Sequence, residues 1–477
     1  MMMPQASKML SRLLIGLLLV GLLAPAPARG LTYEEERKLG QEFYQQIRKQ
    51  MRFVDDQAVM DYINQLGDKI LKPLGPQPFA YRFFVLQNDV PNAFAIPGGY
   101  IFINSGLIEV LDREGELAAT VAHEIAHVTA RHISQRVAQS QKLSLATMGA
   151  MLAGIFIGGP IGSAMAVGGM AGAVQTQLKY SRNDEAEADR LGLDYLVQAG
   201  YDPHFMKQSF NILIKASQFQ PQGVPTYLLT HPGLQQRVLS VDAAIAARED
   251  YSRMRGTGNQ QVFETIQARL IARWNDQAKA LAHFQRRLDQ NPKDATAIYG
   301  LGLVYANQQD LASAEASFQK ALALQPNNVE ILTDLAELLY KKGDFNAALD
   351  KLGIAAAERP GSIRIEFLLA RLYQVQGRLE EARDRYRRVL DLDPNNEDSL
   401  YQLGLVYGGL NDLAQARLYT GLYFKATGDP DNALYHLRLG LKQAEGRPAV
   451  QDRIERTISE ITAQYGDRER RGVRNRQ

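Results

Sequence analysis

The chain has no cysteine and a single tryptophan among 477 residues. The missing thiols exclude disulfides, thiolate metal sites, a cysteine nucleophile and a lipid-modified cysteine anchor. Charge of either sign is not in excess: 54 Lys and Arg stand against 52 Asp and Glu. No concentrated basic face is indicated, so no nucleic-acid partner is expected. Charge is absent altogether from one long stretch, 143–178, between Lys142 and Lys179. Histidine is scarce, with seven in the chain, so a histidine motif stands out against chance.

What is present begins with a targeting segment. Lys8 and Arg12 form a positive stretch ahead of an apolar run at 13–23, too short to span a bilayer comfortably, and Ala26 and Ala28 form an Ala-x-Ala cleavage signal. A cleaved signal peptide over 1–28 is expected, with the mature chain in an extracytoplasmic compartment. The length exceeds what one hydrophobic core supports. Residues 29–250 mix helix and strand signals. Residues 251–262, with Gly256 and Gly258, read as a linker. Residues 263–450 are helical and repetitive. The tail 451–477 carries Arg468, Arg470, Arg471, Arg474 and Arg476; it reads as a solvated, disordered end, or else as a docking tail for an acidic partner or lipid headgroups.

The repeat is the clearest architectural signal. Pro292, Pro326, Pro360 and Pro394 are spaced by 34 residues, with Leu301, Leu335, Leu369 and Leu403 in the same phase. Ala314, Ala348, Ala382 and Ala416 keep the step, and the small residues Gly302, Ala336, Ala370 and Gly404 let paired helices approach. This period and pattern resemble the tetratricopeptide repeat, a helix-turn-helix unit whose open apolar face is covered by the next unit. Four to six helical pairs are expected, forming a concave surface suited to protein or peptide binding. The plain alternative is a helical bundle.

Residues 114–139 read as one long helix containing His123-Glu124-Ile125-Ala126-His127. Residues four apart share a helix face, so His123 and His127 can aim two imidazoles at one ion. Glu124, one step round, can reach a water held by that ion without ligating it, and acts as general base in peptide hydrolysis. The plain alternative, two polar histidines on a helix face, fits poorly with the apolar neighbours Val121, Ala122, Ile125 and Ala126. A third ligand is needed. Glycine at 130 and histidine at 133, which one zinc subclass requires, are replaced by Ala130 and Ile133. His132 is out of register and reads as a structural or surface residue. The acidic segment 181–189 offers Asp184, Glu185, Glu187 and Asp189, among which composition does not choose; Glu185 and Asp189 share a face.

The two motifs together, His123-Glu124-Ile125-Ala126-His127 and Ser181-Arg182-Asn183-Asp184-Glu185-Ala186-Glu187-Ala188-Asp189, resemble the gluzincin family of prenyl-protein and membrane quality-control peptidases. The resemblance implies an α+β zincin-like metallopeptidase domain followed by an all-α tetratricopeptide-repeat solenoid. It implies Zn2+ held by His123, His127 and Glu185, with Glu124 as base and Asp189 behind a ligating histidine. Thr230-His231-Pro232 with Arg237 matches a further family pattern: His231 would approach the zinc in the resting enzyme, blocking or regulating its open position, or would stabilise the developing oxyanion. Taken alone, His231 before Pro232 reads only as an extended residue at a helix start. Strand-like runs at 81–86 and 100–103 flank 92–100, which resembles the family's edge strand; there Ala95, Gly98 and Gly99 would let an extended substrate add as an antiparallel strand. A plain hairpin is the alternative.

The implied function is a periplasmic zinc endopeptidase, and also a chaperone, acting on polypeptides such as unfolded or misassembled outer-membrane proteins. Its repeats would dock substrates or the outer-membrane assembly machinery. The glycine- and alanine-rich insert 143–178 is broken by Gly158-Gly159-Pro160 and reads as a hairpin joining the two motifs: buried against the repeats, a mobile lid with peripheral membrane contact, or a membrane span. Two rival functions remain, a repeat scaffold with a latent metal site and a membrane-embedded peptidase.

Overall fold

The computed structural model describes residues 31–139, 180–218, 227 and 230–474. The expected signal peptide and the insert 143–178 lie outside the described residues. The chain divides into two units, Met1–Gln267 and Ala268–Gln477.

In the first unit, Thr32 caps helix α1 (Tyr33–Gln50) in a reciprocal capping box with Glu35, and Asp56 caps α2 (Gln57–Leu71) through two backbone N–H groups. Three strands follow: β1 (Arg82–Leu86), β2 (Ala93–Ile96) and β3 (Tyr100–Asn104), ordered β1-β3-β2. β1 lies parallel to β3 with Arg82 opposite Tyr100; β2 runs antiparallel to β3 with Ala93 opposite Ile103. The strand-like runs are thus parallel neighbours, and the hairpin is made by β2 and β3. Its turn is Pro97-Gly98-Gly99, with φ of 82° and 86° at the two glycines, a backbone that side chains rarely tolerate. Every residue of β2 and β3 is buried, which is why these segments are continuous apolar runs rather than alternating ones. Phe102 stacks between Phe94 (5.0 Å) and Phe84 (5.4 Å), and this aromatic face packs with Phe43 and Ile47 of α1.

After α3 (Ser105–Val110), the expected single helix over 114–139 is two: α4 (Glu114–Thr129) and α5 (His132–Gln139). The chain reverses at Arg131, a non-glycine residue with φ of 58°. Its guanidinium holds that conformation by bonding Glu36 and the Leu31 carbonyl and lying 4.5 Å over the Tyr33 ring. α4 is buried on all sides from Glu114 to Val128. Its first turn is anchored by the Glu114 carboxylate, which accepts from Tyr201 (2.6 Å) and Tyr62 (3.3 Å). Against α4 pack α6 (Arg182–Gln198), capped by Ser181, and α7 (His204–Gln218). Then come α8 (Leu234–Ala246), α9 (Glu249–Arg253) and α10 (Gln260–Trp274).

Half of the linker expected over 251–262 is helical: 254–259 lies between α9 and α10. Nor is it a free spacer. Asp202 donates to the Gly256 carbonyl at 2.9 Å, and a Cβ on Gly258 (φ 78°) would meet Glu114 Oε1 at 2.1 Å. Glycine appears here because the backbone passes close to a buried carboxylate.

Beyond α10 the helices come in antiparallel pairs: α11 (Gln277–Gln290), α12 (Ala295–Asn307) with α13 (Leu311–Leu324), α14 (Val329–Lys342) with α15 (Phe345–Glu358), α16 (Ile363–Val375) with α17 (Leu379–Leu392), α18 (Glu397–Gly409) with α19 (Leu413–Ala426), and α20 (Pro430–Gln443) with α21 (Pro448–Arg474). Counting α10 with α11, the described residues hold six pairs. Side chains of Asp276, Asp294, Asp310, Asn328, Asp344, Asn396, Asp412 and Asp429 cap helices on either side of α16 and α17, whose N-cap residues Ser362 and Arg378 make no side-chain cap. The 451–477 tail, expected to be disordered, belongs to α21 as far as Arg474; Ile454 and Ile461 are buried with Leu418 and Leu437, and this apolar stripe makes it the second helix of the last pair.

The repeat unit also holds a buried ionic cluster that periodicity does not disclose. Asp334 on α14 accepts from Arg269 and Tyr299 and pairs with Arg364 (2.6 Å) and Arg273 (3.0 Å). Burial opposes its charge, yet Arg269, Arg364 and Arg273 hold its carboxyl well below the usual carboxylate range. Its contribution to stability is therefore complete above the unfolded-chain value of about 4 and is lost as pH falls from there. Replacing Asp334 with Asn removes the negative charge that Arg269, Arg273 and Arg364 face, at a place where Arg269 is 1% exposed. The expected loss is about 3–5 kcal/mol, measurable by denaturant unfolding followed by helical circular dichroism.

Candidate metal centre

α4 and α6 each present two polar side chains one turn apart, and the two pairs face each other. His123 and His127 bring Nε2 atoms to 3.0 Å. Glu185 reaches both, with carboxylate oxygens 3.6 Å from His123 Nε2 and 3.5 Å from His127 Nε2. His231 enters from the segment before α8, its Nδ1 3.1 Å from Glu185 Oε1 and 3.4 Å from His123 Nε2. It is not simply extended: its N–H donates to the Tyr227 carbonyl at 2.7 Å, closing a turn ahead of Pro232, and α8 starts after Gly233. One donor atom from each of His123, His127, Glu185 and His231 lies within 4.8 Å of every other. Four donors about 2.0–2.1 Å from a common centre in a tetrahedron stand about 3.3 Å apart, so the set suits a metal ion.

Behind these donors the site is braced. Asp189 Oδ1 lies 3.0 Å from His123 Nδ1, and Arg237 clasps Asp189 with two bonds, 2.8 and 2.6 Å, while also pairing with Glu185. Glu124 is fully buried and, among the described residues, neither of its oxygens has a hydrogen-bond partner; nor does His231 Nε2, 3.6 Å away. A buried carboxylate and imidazole without partners are costly unless something is meant to bind between them. Three imidazoles and a carboxylate, with no thiolate, are borderline ligands suited to Zn2+ and its neighbours.

The electrostatics differ from one member to the next. Burial and Arg237 push the His123 imidazole down, but Asp189 and Glu185 outweigh them and raise it to about 9. Burial, reinforced by His123, holds His127 well below the ordinary value. Burial pushes Glu124 up. Glu185 is held well below the carboxylate range in spite of burial, chiefly by Arg237 and His231.

The structure brings together His123, Glu124, His127, Glu185, Asp189, His231 and Arg237. Of the four acidic candidates on α6, Asp184 instead pairs with Arg136, and Glu187 points outward to His132. The edge strand lies beside the site: Ala95 and Gly98, with His127 and Arg131, line a cleft of about 210 Å³. Gly99 is not part of that lining; it packs against Phe79 and Ala80. A larger cleft of about 660 Å³ between α6 and α8 reaches Glu185, Asp189 and Arg237. His132, expected to be structural or at the surface, is 3% exposed and bonded to His127. Two tyrosines escaped the sequence reading. Tyr180 stacks on His127 at 3.7 Å and Tyr227 on His231 at 4.5 Å, each with a buried hydroxyl unpartnered among the described residues. No spacing rule marks them, since each meets its imidazole only through the fold.

A buried pair of histidines on one helix, a glutamate on a second and a partnerless glutamate beside them form a group that could hold a metal ion, here followed by helical repeats. Residues 58–245 match the model of peptidase family M48, and residues 278–400 match that of the cytochrome c-type biogenesis protein H TPR domain. Among curated relatives, the beta-barrel assembly-enhancing protease of Yersinia pestis is 33% identical over 205 residues, 42% of this chain and 42% of its own. That of Escherichia coli K12 is 29% identical over 291 residues, 57% of this chain and 59% of its own. The mitochondrial metalloendopeptidase OMA1 of Schizosaccharomyces pombe is 28% identical over 181 residues, 38% of this chain and 51% of its own. The chain spans about half the length of the curated relatives it matches. No helix among the described residues is long and apolar enough to cross a membrane.

Proposed function

We propose that this chain is a periplasmic zinc-dependent endopeptidase, and a chaperone, acting on misfolded or misassembled outer-membrane proteins. The observation that carries the proposal is the convergence of His123, His127 and Glu185 around one point with the unpartnered Glu124 carboxylate alongside. His123, His127 and Glu185 would hold the ion. When bound, it supplies Lewis-acid polarisation. Glu124 takes a proton from the attacking water and returns it to the leaving amine. Asp189 fixes the His123 ring, and Arg237 fixes Asp189 and Glu185. An extended polypeptide would lie along the β2 edge past Ala95 and Gly98, where backbone pairing tolerates many sequences. The names of the relatives and the repeats support outer-membrane clients and docking to their assembly machinery. The 143–178 insert is a candidate for peripheral membrane contact.

A second reading, a repeat-based scaffold or chaperone with a largely latent site, is favoured by one feature: His231 supplies a fourth donor, and four protein donors close a site. Metal content and cleavage of casein and of an unfolded outer-membrane protein test both. Stoichiometric zinc, with cleavage lost to a chelator and restored by Zn2+, is the expected result. His231→Ala with raised cleavage would give His231 a blocking role, and with lowered cleavage an oxyanion role. Zinc present with no cleavage in either protein would favour the scaffold, and a chain that takes up no metal would sink the peptidase.

A further inference from the structure

The two candidate histidine ligands are supported differently from behind. His123 Nδ1 meets the carboxylate of Asp189 directly at 3.0 Å. Among the described residues no carboxylate bonds the rear of His127. Its Nε2 faces His123 and Glu185, so Nδ1 is its rear atom, and Nδ1 lies 2.9 Å from Nδ1 of His132. His132 Nε2 in turn lies 3.4 Å from Glu187 Oε2.

We propose that His132 and Glu187 form a two-step hydrogen-bond relay that fixes the ring orientation and tautomer of His127, as positioning residues of the metal centre. The inference rests on the metal-site reading above. Two imidazole nitrogens in hydrogen-bond contact share one N–H between them. For His127 Nε2 to offer a lone pair to an ion, the ring proton must sit on Nδ1. His132 Nδ1 is then the acceptor, and its own proton sits on Nε2, where Glu187 receives it. One tautomer of each ring satisfies both contacts and frees the ligand atom.

The local fold serves this arrangement. On a continuous helix, residue 132 would lie about 140° round the axis from His127. The left-handed turn at Arg131 ends α4 and brings His132 back as the first residue of α5. His132 is buried, Tyr180 stacks on the His127 ring, and Glu187 is half-exposed, so the relay runs from the site to the surface.

The test is metal affinity of the full chain by chelator competition, with the visible spectrum of the Co2+ form as a second readout. His132→Ala is expected to weaken binding about 10–100-fold and to change the Co2+ spectrum, with a smaller fall in Tm for the metal-free chain than for the loaded chain. His132→Gln, which retains an acceptor, should recover part of the loss. Glu187→Gln, at the surface, should lose less than about tenfold. Affinity in His132→Ala within about twofold of wild type overturns the relay. So does a metal-free Tm that falls as far as that of the loaded chain. If His132→Ala does not fold, unchanged affinity in both His132→Gln and Glu187→Gln overturns it. A wild-type chain that takes up no metal instead overturns the metal reading itself.

Discussion

Replacing Glu124 with Gln is expected to lower peptide cleavage by about 10²–10⁴-fold while metal content stays at the wild-type level. Glu124 neighbours His123 in sequence but does not belong to the four-donor cluster. Its oxygens contact no described hydrogen-bond donor, so no structural bond is broken by the amide. Glutamine keeps the shape and loses the base. Cleavage rate and metal content measured on the same preparations separate the two roles. A variant that loses metal along with activity would make Glu124 a structural member of the site, and one that keeps full cleavage would remove it from the chemistry.

Replacing Arg237 with Ala should be the most destabilising single change in the first unit. Arg237 is 6% exposed and neutralises two carboxylates, Asp189 and Glu185, both at least as buried. It also lies 4.4 Å over the Phe210 ring. Without it two negative charges face each other in the interior, and breaking such a buried pair costs about 3–5 kcal/mol. The loss should be largest in the metal-free chain, because an ion beside Glu185 replaces part of the missing positive charge. Denaturant unfolding with and without Zn2+ checks this. Equal stability of variant and wild type in the metal-free form would mean that the network is net neutral.

How much of this was legible in the sequence depends on the range of each interaction. His123, Glu124 and His127 share one helical turn, so spacing alone put two imidazoles on one face. The 34-residue step made the repeats readable for the same reason: each pair is a local unit that only its neighbours complete. The choice among Asp184, Glu185, Glu187 and Asp189 was not open to spacing. It depends on which face of α6 meets α4, and that is set by Ala188, Gly192 and Leu193 packing inward.

Errors arose where side chains override local propensity. The 114–139 stretch carries no proline or glycine at its midpoint, yet the helix ends because Arg131 is held by Glu36 and Leu31 from the start of the chain. That reversal decides between the two readings of His132, structural or surface, by making it a buried neighbour of His127. Packing also decides elsewhere: glycine at 258 marks close approach rather than freedom, and the arginine-rich tail continues a helix with an apolar stripe at Ile454 and Ile461.

By itself, then, the sequence determined that this chain joins a histidine-glutamate metal motif to a helical repeat array and holds no thiol chemistry, because those properties are written within one helical turn or one repeat. Only the tertiary structure decided that Glu185 and His231 complete the donor set, that Arg237 holds the carboxylates, and that His132 stands behind His127. Each of those contacts joins residues on separate elements, and the burial that orients them exists only once α4, α5, α6 and α8 have packed together.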